Sequence, residues 1–253
     1  MDRAPLSIAL MGLIATQATA LAASPAEVPV ATLQAFNAYY RGHVDTLPDL
    51  CEDQGIELGI YKRAFMALNE PEHRAAVKLT GGTAKAEPVG DERADLAGAL
   101  RSRAAAAGHG HSVKDGCALL ASDPLGAATR DAFSTAHPAQ SQELLVAANG
   151  DAGACVRTVS TTPPPYPPAA RRNQEGGIVR IRVWLDRQGT VTDSTVAASS
   201  GSTTLDQAAL AQAKAWRFDV SACPPPTDAK GYDVSAPVTF ALPFYNRELS
   251  ALP

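Results

Sequence analysis

Residues 163–189 read PPPYPPAARRNQEGGIVRIRVWLDRQG. Each proline ring fixes φ and pushes the residue before it out of the helical region, so the chain arrives here as a stiff, extended segment. Residues 169–173 then suit one or two helical turns, which Glu175-Gly176-Gly177 ends. From 178 to 185 the alternation is that of a strand, with Val179, Ile181, Val183 and Leu185 on one face and Ile178, Arg180, Arg182 and Trp184 on the other. Asp186-Arg187-Gln188-Gly189 is a tight turn whose glycine supplies a positive φ, and 190–197 folds back as the second strand of a hairpin.

Working outward, Ser199-Ser200-Gly201 ends that strand and a helix is predicted over 205–218, with Thr204 and Gln207 spaced as a capping box. Its apolar residues Leu205, Ala208, Ala209, Ala213 and Trp216 would lie on the Val179/Ile181/Val183 face. A last short strand is expected at 238–242, bracketed by Pro237 and Pro243. The order predicts a three-stranded antiparallel sheet with helices on one face.

Upstream of the prolines the composition changes. Residues 23–155 carry 11 Lys and Arg against 17 Asp and Glu, while 156–253 carry 10 against 8, so the two halves read as separate units. Neither is basic enough for a nucleic-acid partner. Between 28 and 150 the apolar residues recur at helical spacing: Leu33, Phe36, Tyr39 and Tyr40 make one stretch. Leu58, Tyr61, Phe65 and Leu68 make a second, closed at Asn69-Glu70-Pro71. Helices follow at 91–107, 124–136 and 138–149, after a loose loop at 80–90. The fold class is α+β, an all-helical domain over 28–150 joined by a Pro-rich linker, 157–168, to the small sheet domain.

Residues 1–22 have the layout of a secretory signal, an apolar run followed by small residues with an A-x-A cleavage pattern. An uncleaved anchor is the competing reading, against which Thr16 and Gln17 interrupt the run. Export to the periplasm makes disulfides the expectation for Cys51, Cys117, Cys155 and Cys223. Four cysteines allow three pairings, and the division into halves favours Cys51 with Cys117 and Cys155 with Cys223. No CxxC, metal-ligand spacing, phosphate-binding loop or nucleophile arrangement is present, so neither a catalytic residue nor a cofactor is assigned. His109-Gly110-His111 has the form of half a metal site, but no acidic or cysteine partner stands at ligand spacing, and a solvated loop is the simpler reading.

Six short motifs fall in order along the second half: Tyr166-Pro167-x-x-Ala170-Arg171, Gly177-x-Val179, Asp186-x-x-Gly189-x-Val191, Ser199-Ser200-Gly201, Leu205-Asp206-x-Ala208-Ala209 and Trp216-x-Phe218. Together they resemble the C-terminal domain of the TonB family over about 160–243; residues 28–155 show no such pattern. The resemblance implies a domain at 166–243 that takes up an extended segment of an outer-membrane TonB-dependent transporter, or another envelope protein, as an added strand. An open sheet edge has unpaired N–H and C=O groups to offer such a segment. The acceptor is expected on the last strand, at Val238, Thr239, Phe240, Ala241 and Leu242, with Pro237 and Pro243 limiting its length. Arg180, Arg182 and Trp184 are candidate partner contacts on the outward face. Tyr166, Pro167, Gly177, Gly189, Ser200, Gly201, Leu205, Trp216 and Phe218 are expected to be structural.

The chain departs from that family by its short spacer, cleavable N-terminus and helical domain. The expected protein is therefore a non-enzymatic periplasmic binding protein. A membrane-anchored energy transducer working with ExbB/ExbD-type inner-membrane motor proteins is one alternative, and an enzyme with a catalytic helical domain is the other.

Overall fold

The computed structural model describes residues 30–81, 91–149, 155–226 and 230–242. The predicted signal at 1–22, most of the predicted loop at 80–90, and Pro243 lie outside the described residues. The first part is helical: α1 (Val30–Arg41), a π-helical turn (Gly42–Thr46), α2 (Leu47–Glu52), α3 (Gly59–Leu68), α4 (Glu70–Thr80), α5 (Glu92–Ala106), α6 (Val113–Ser122), α7 (Pro124–Asp131), α8 (Phe133–Ala136) and α9 (Pro138–Asn149).

Three of these helices were not predicted, and each has a local cause. Asn69-Glu70-Pro71 does end α3, but it also begins α4, because a proline in the first helical turn forfeits no hydrogen bond. Asn69 joins the elements: fully buried, it donates to the Phe65 carbonyl at 2.7 Å and accepts from the Phe133 N–H at 2.7 Å. α6 starts at a capping box in which the Ser112 Oγ accepts from the Asp115 N–H and the Asp115 carboxylate accepts from the Ser112 N–H. α2 follows α1 almost without a break, through the π turn. The single helix expected at 124–136 is two, parted at the extended residue Ala132.

At the centre of this bundle the Asp131 carboxylate is 6% exposed and accepts from the Tyr61 hydroxyl at 2.9 Å and from both Nη atoms of Arg103 at 3.0 and 2.6 Å. Burial, with the Asp131 charge adding, pushes the Tyr61 hydroxyl pKa up, so it remains a donor. The Cys51–Cys117 disulfide ties α2 to α6. His43 lies flat against Phe65, ring centroids 4.8 Å apart, and its Nδ1 donates to the Tyr39 carbonyl at 2.9 Å.

Burial lowers the His43 pKa, outweighing the opposing effects of its Tyr39 hydrogen bond and of the Asp131 and Glu92 carboxylates. The unfolded chain then binds protons more readily than the fold. Stability from this site is complete above about pH 6.5, the ordinary imidazole value, and is lost as pH falls from there through the depressed folded value. Urea midpoints measured between neutral and mildly acid pH should decline, with a shallower decline in His43→Phe. An equal decline in the variant would remove His43 as the cause.

The second part comprises β1 (Arg157–Ser160), α10 (Pro168–Arg172), β2 (Gly177–Leu185), β3 (Val191–Ala198), α11 (Thr203–Ala213), β4 (Arg217–Asp219) and β5 (Tyr232–Phe240). A three-stranded antiparallel sheet has the order β3-β2-β5, and β1 pairs with β4 in a second small sheet beside it. Val179, Ile181, Val183 and Leu185 pack on Leu205, Ala209, Ala213, Trp216 and Phe218, the core the alternation predicted.

Four sequence expectations are corrected here. Residues 157–160, assigned to the linker, form β1, and the Cys155–Cys223 disulfide closes beside the β1/β4 pair. The helix predicted to reach 218 stops at Ala213, since Trp216 and Phe218 alternate inward about the exposed Arg217, a period of two rather than 3.6. The cap of α11 is Ser202, whose Oγ accepts from the Leu205 N–H, not the Thr204/Gln207 box. The last strand begins six residues earlier than 238 and runs through Pro237 to Phe240, leaving Ala241 and Leu242 beyond its end.

Helices cover both faces of the sheet. α3 crosses β2 on the face opposite α11, and Ile178 belongs to the core of the helical part together with Leu58, Tyr61 and Phe65.

Candidate functional site

β5 pairs with β2 along all nine residues without a register shift, from Gly177 opposite Phe240 to Leu185 opposite Tyr232. On its other side no strand is present among the described residues. Pro237, opposite Arg180, fixes which backbone groups face outward. A proline continues a ladder only where its nitrogen points away from the partner strand, so Asp233, Ser235, Pro237 and Thr239 turn their backbone to the open edge. Their side chains share the face of Trp184, Arg182, Arg180 and Ile178, because directly paired residues lie on one face. Val238 and Phe240 point the other way into the core and are buried. The acceptor residues expected at 238–242 thus divide: Thr239 faces the edge, Val238 and Phe240 anchor the strand, and Ala241 and Leu242 follow it.

Tyr166 braces the end of β5. Its ring stands edge-on to Phe240 at 5.5 Å, its hydroxyl donates to the Glu175 carbonyl, and the Arg171 guanidinium lies 5.6 Å from the ring centroid. Pro167 precedes α10 in extended conformation. The Ser199-Ser200-Gly201 turn is held by Asp206, which accepts from Ser199 Oγ at 2.5 Å, Ser200 N–H at 3.0 Å and Ser200 Oγ at 2.8 Å. Gly177 runs against Ser200 at the start of β2. Among the motif glycines, Gly189 and Gly201 are fixed by backbone and neighbours at once: Gly189 has φ +75° and a Cβ there would overlap the Phe218 carbonyl, while Gly201 has φ +92° and lies under the Arg63 side chain.

Arg180, expected on an outward face, is 7% exposed and is a correction. Its Nε donates to the Ala67 carbonyl at 2.8 Å and an Nη to the Leu68 carbonyl at 2.7 Å. These are terminal carbonyls of α3, unpaired within their own helix and at the negative end of its dipole. Burial pushes the guanidinium pKa down, against the opposing charges of Glu70 and Glu72.

Arg182 and Trp184 are half-buried at the other end of the strand. Arg182 makes a two-bond pair with Asp233 and lies 5.0 Å from the Trp184 ring centroid; Lys230 lies 5.3 Å from the same centroid. Asp233 also accepts from the Arg74 Nη1 of α4 at 2.9 Å, and Arg74 pairs with Glu70 at 3.2 Å. Arg63 donates to the Ser200 carbonyl at 3.0 Å. Sequence reasoning missed Arg63, Glu70, Arg74, Asp206 and Asp233. Asp206 had a signal, lying in the quoted Leu205-Asp206 motif, whereas the others act across the two parts of the chain and leave no local pattern.

Among the described residues no group of three His, Cys, Asp or Glu side chains is placed to hold a metal, and no helix is long and apolar enough to cross a membrane. His109 and His111 lie just before α6.

Residues 162–242 match the family model for the Gram-negative bacterial TonB protein C-terminal domain. Protein TonB from Xanthomonas campestris pv. campestris strain B100 is 40% identical over 94 residues, 36% of this chain and 41% of that protein. A Vibrio cholerae serotype O1 Protein TonB is 42% identical over 55 residues, 22% of each chain. The chain therefore spans well under half the length of the curated relatives it matches. No solved structure matches the chain significantly.

Proposed function

We propose that this is a TonB-like envelope protein of TonB-dependent transport, non-enzymatic, whose domain at 166–243 takes up extended segments of outer-membrane transporters by β-strand addition to β5. The observation that carries the reading is the one-sided pairing of β5, a nine-residue strand whose outward backbone groups have no strand partner among the described residues. A bound segment would satisfy these groups and gain affinity from main-chain hydrogen bonds, while its alternate side chains set specificity. Pro237 removes one donor from the middle of that edge and keeps its carbonyl as an acceptor, so the N–H donors fall into two groups, at Asp233 and Ser235 and at Thr239. In this reading the protein works in the periplasm, with the helical part at 28–150 as a second binding element.

Titrating the full chain with TonB-box-like peptides, followed by amide resonances, tests this. The largest shifts are expected at Asp233, Ser235 and Thr239. Shifts restricted to β1 or to the helical part, or none, would remove β5 as the acceptor.

A further inference from the structure

We infer that α4 is the second wall of the peptide site and that Arg74 selects a carboxylate side chain on the bound segment; this rests on strand addition at β5. Glu70 and Arg74 lie one turn apart, about 6 Å along the axis of α4. They meet Ser235, whose hydroxyl is 3.4 Å from Glu70, and Asp233, which is about 6.6 Å from Ser235 along β5. The two contacts pair Glu70 with Ser235 and Arg74 with Asp233, so the contacts follow opposite orders along α4 and β5. The buried residues of α4, Glu72, Ala75 and Ala76, face the helical core, so Glu70, Arg74 and the 42% exposed Val77 form its outer stripe.

A strand added to β5 lies about 4.8 Å farther out, and every second side chain projects to the face on which α4 stands. Arg74 is the cation of α4 that reaches β5 on this face. Its Nη1 is bound to Asp233 and its Nε faces Glu70, but its Nη2 donates to no described residue. Asp233 is more nearly filled, accepting from both Arg182 nitrogens and from Arg74. A guanidinium carries five donors and a carboxylate about four acceptor sites, so the open capacity belongs to the arginine and suits an incoming acceptor. An anionic one forms the stronger, charge-assisted bond. The helical part would thereby contribute directly to recognition, through a residue outside the TonB-like domain.

The test uses the full chain and short extended peptides carrying Glu, Gln or Lys in turn at each alternate position. At one position Glu should bind about fivefold more tightly than Gln, and Lys more weakly still. Arg74→Gln should abolish that preference and Arg74→Lys restore part of it, with thermal midpoints confirming that both variants fold. An unchanged preference in Arg74→Gln, or shifts along β5 with no charge preference at any position, would overturn the role of Arg74 and leave strand addition standing. Absence of β5 shifts with every peptide would overturn both.

Discussion

Replacing Arg180 by alanine is expected to cost about 3 kcal/mol of folding stability, read as a lower urea midpoint. The guanidinium holds two carbonyls at the end of α3 in a site where Arg180 is only 7% exposed. Truncation leaves those acceptors buried and short of donors, each costing about 1–3 kcal/mol, and opens a void beneath β2. Arg180→Met, which keeps most of the volume without the donors, should recover only the packing share. Arg180→Lys offers one compact donor group in place of a fork and should fall between the two. A loss under about 1 kcal/mol in the alanine variant would mean that water replaces the guanidinium and that the α3/β2 junction is not closed. Because Ile178 shares a core with Leu58, Tyr61 and Phe65, the loss should appear in probes of both parts of the chain.

Arg180 also marks where the sequence stops being legible. Its position on the strand face was clear from the alternation, but what covers that face was not, since a solvated face and a face packed on a distant helix can carry the same residues. Ile178 on the Arg side was the one local hint, because a strand buried on both faces loses its polar alternation. The hairpin, the α11 core and the order of the motifs were readable because they depend on neighbours within a few residues. β4 was hidden inside an apparent helical run, and its signal, Trp216 and Phe218 alternating about Arg217, spans only three residues. β1 has no inward side at all, each of its residues being exposed, so periodicity had nothing to report. In the candidate site, the edge strand was found in the right region but its start was missed. Pro237 was read as a boundary, whereas on an edge strand its missing N–H costs nothing if it faces outward. Arg74 and Asp233 are separated by 159 residues and meet only in the fold.

Removing the Cys155–Cys223 disulfide, by Cys155→Ser with Cys223→Ser, should cost about 4 kcal/mol, the largest loss expected from this part of the molecule. The bond spans 68 residues, and a loop of that size restricts the unfolded chain by roughly that amount at room temperature. The position of the bond adds a structural consequence. β1 pairs with β4 through only three registered residue pairs and its side chains are exposed, so little apolar burial holds it in place. Without the covalent closure β1 should detach, taking with it the anchored start of the proline approach, while Tyr166 and α10 stay on the β5 side through Phe240 and Ala170. Amide exchange should therefore rise at 157–160 and 217–219 by local opening, beyond the general rise that the lower global stability brings to β2 and β5. The double variant should also retain peptide binding at β5, because that edge belongs to the other sheet. Exchange rising equally in β2 and β5, or loss of peptide shifts along with stability, would show that the two sheets share one cooperative unit and that the small sheet is a support for the binding edge.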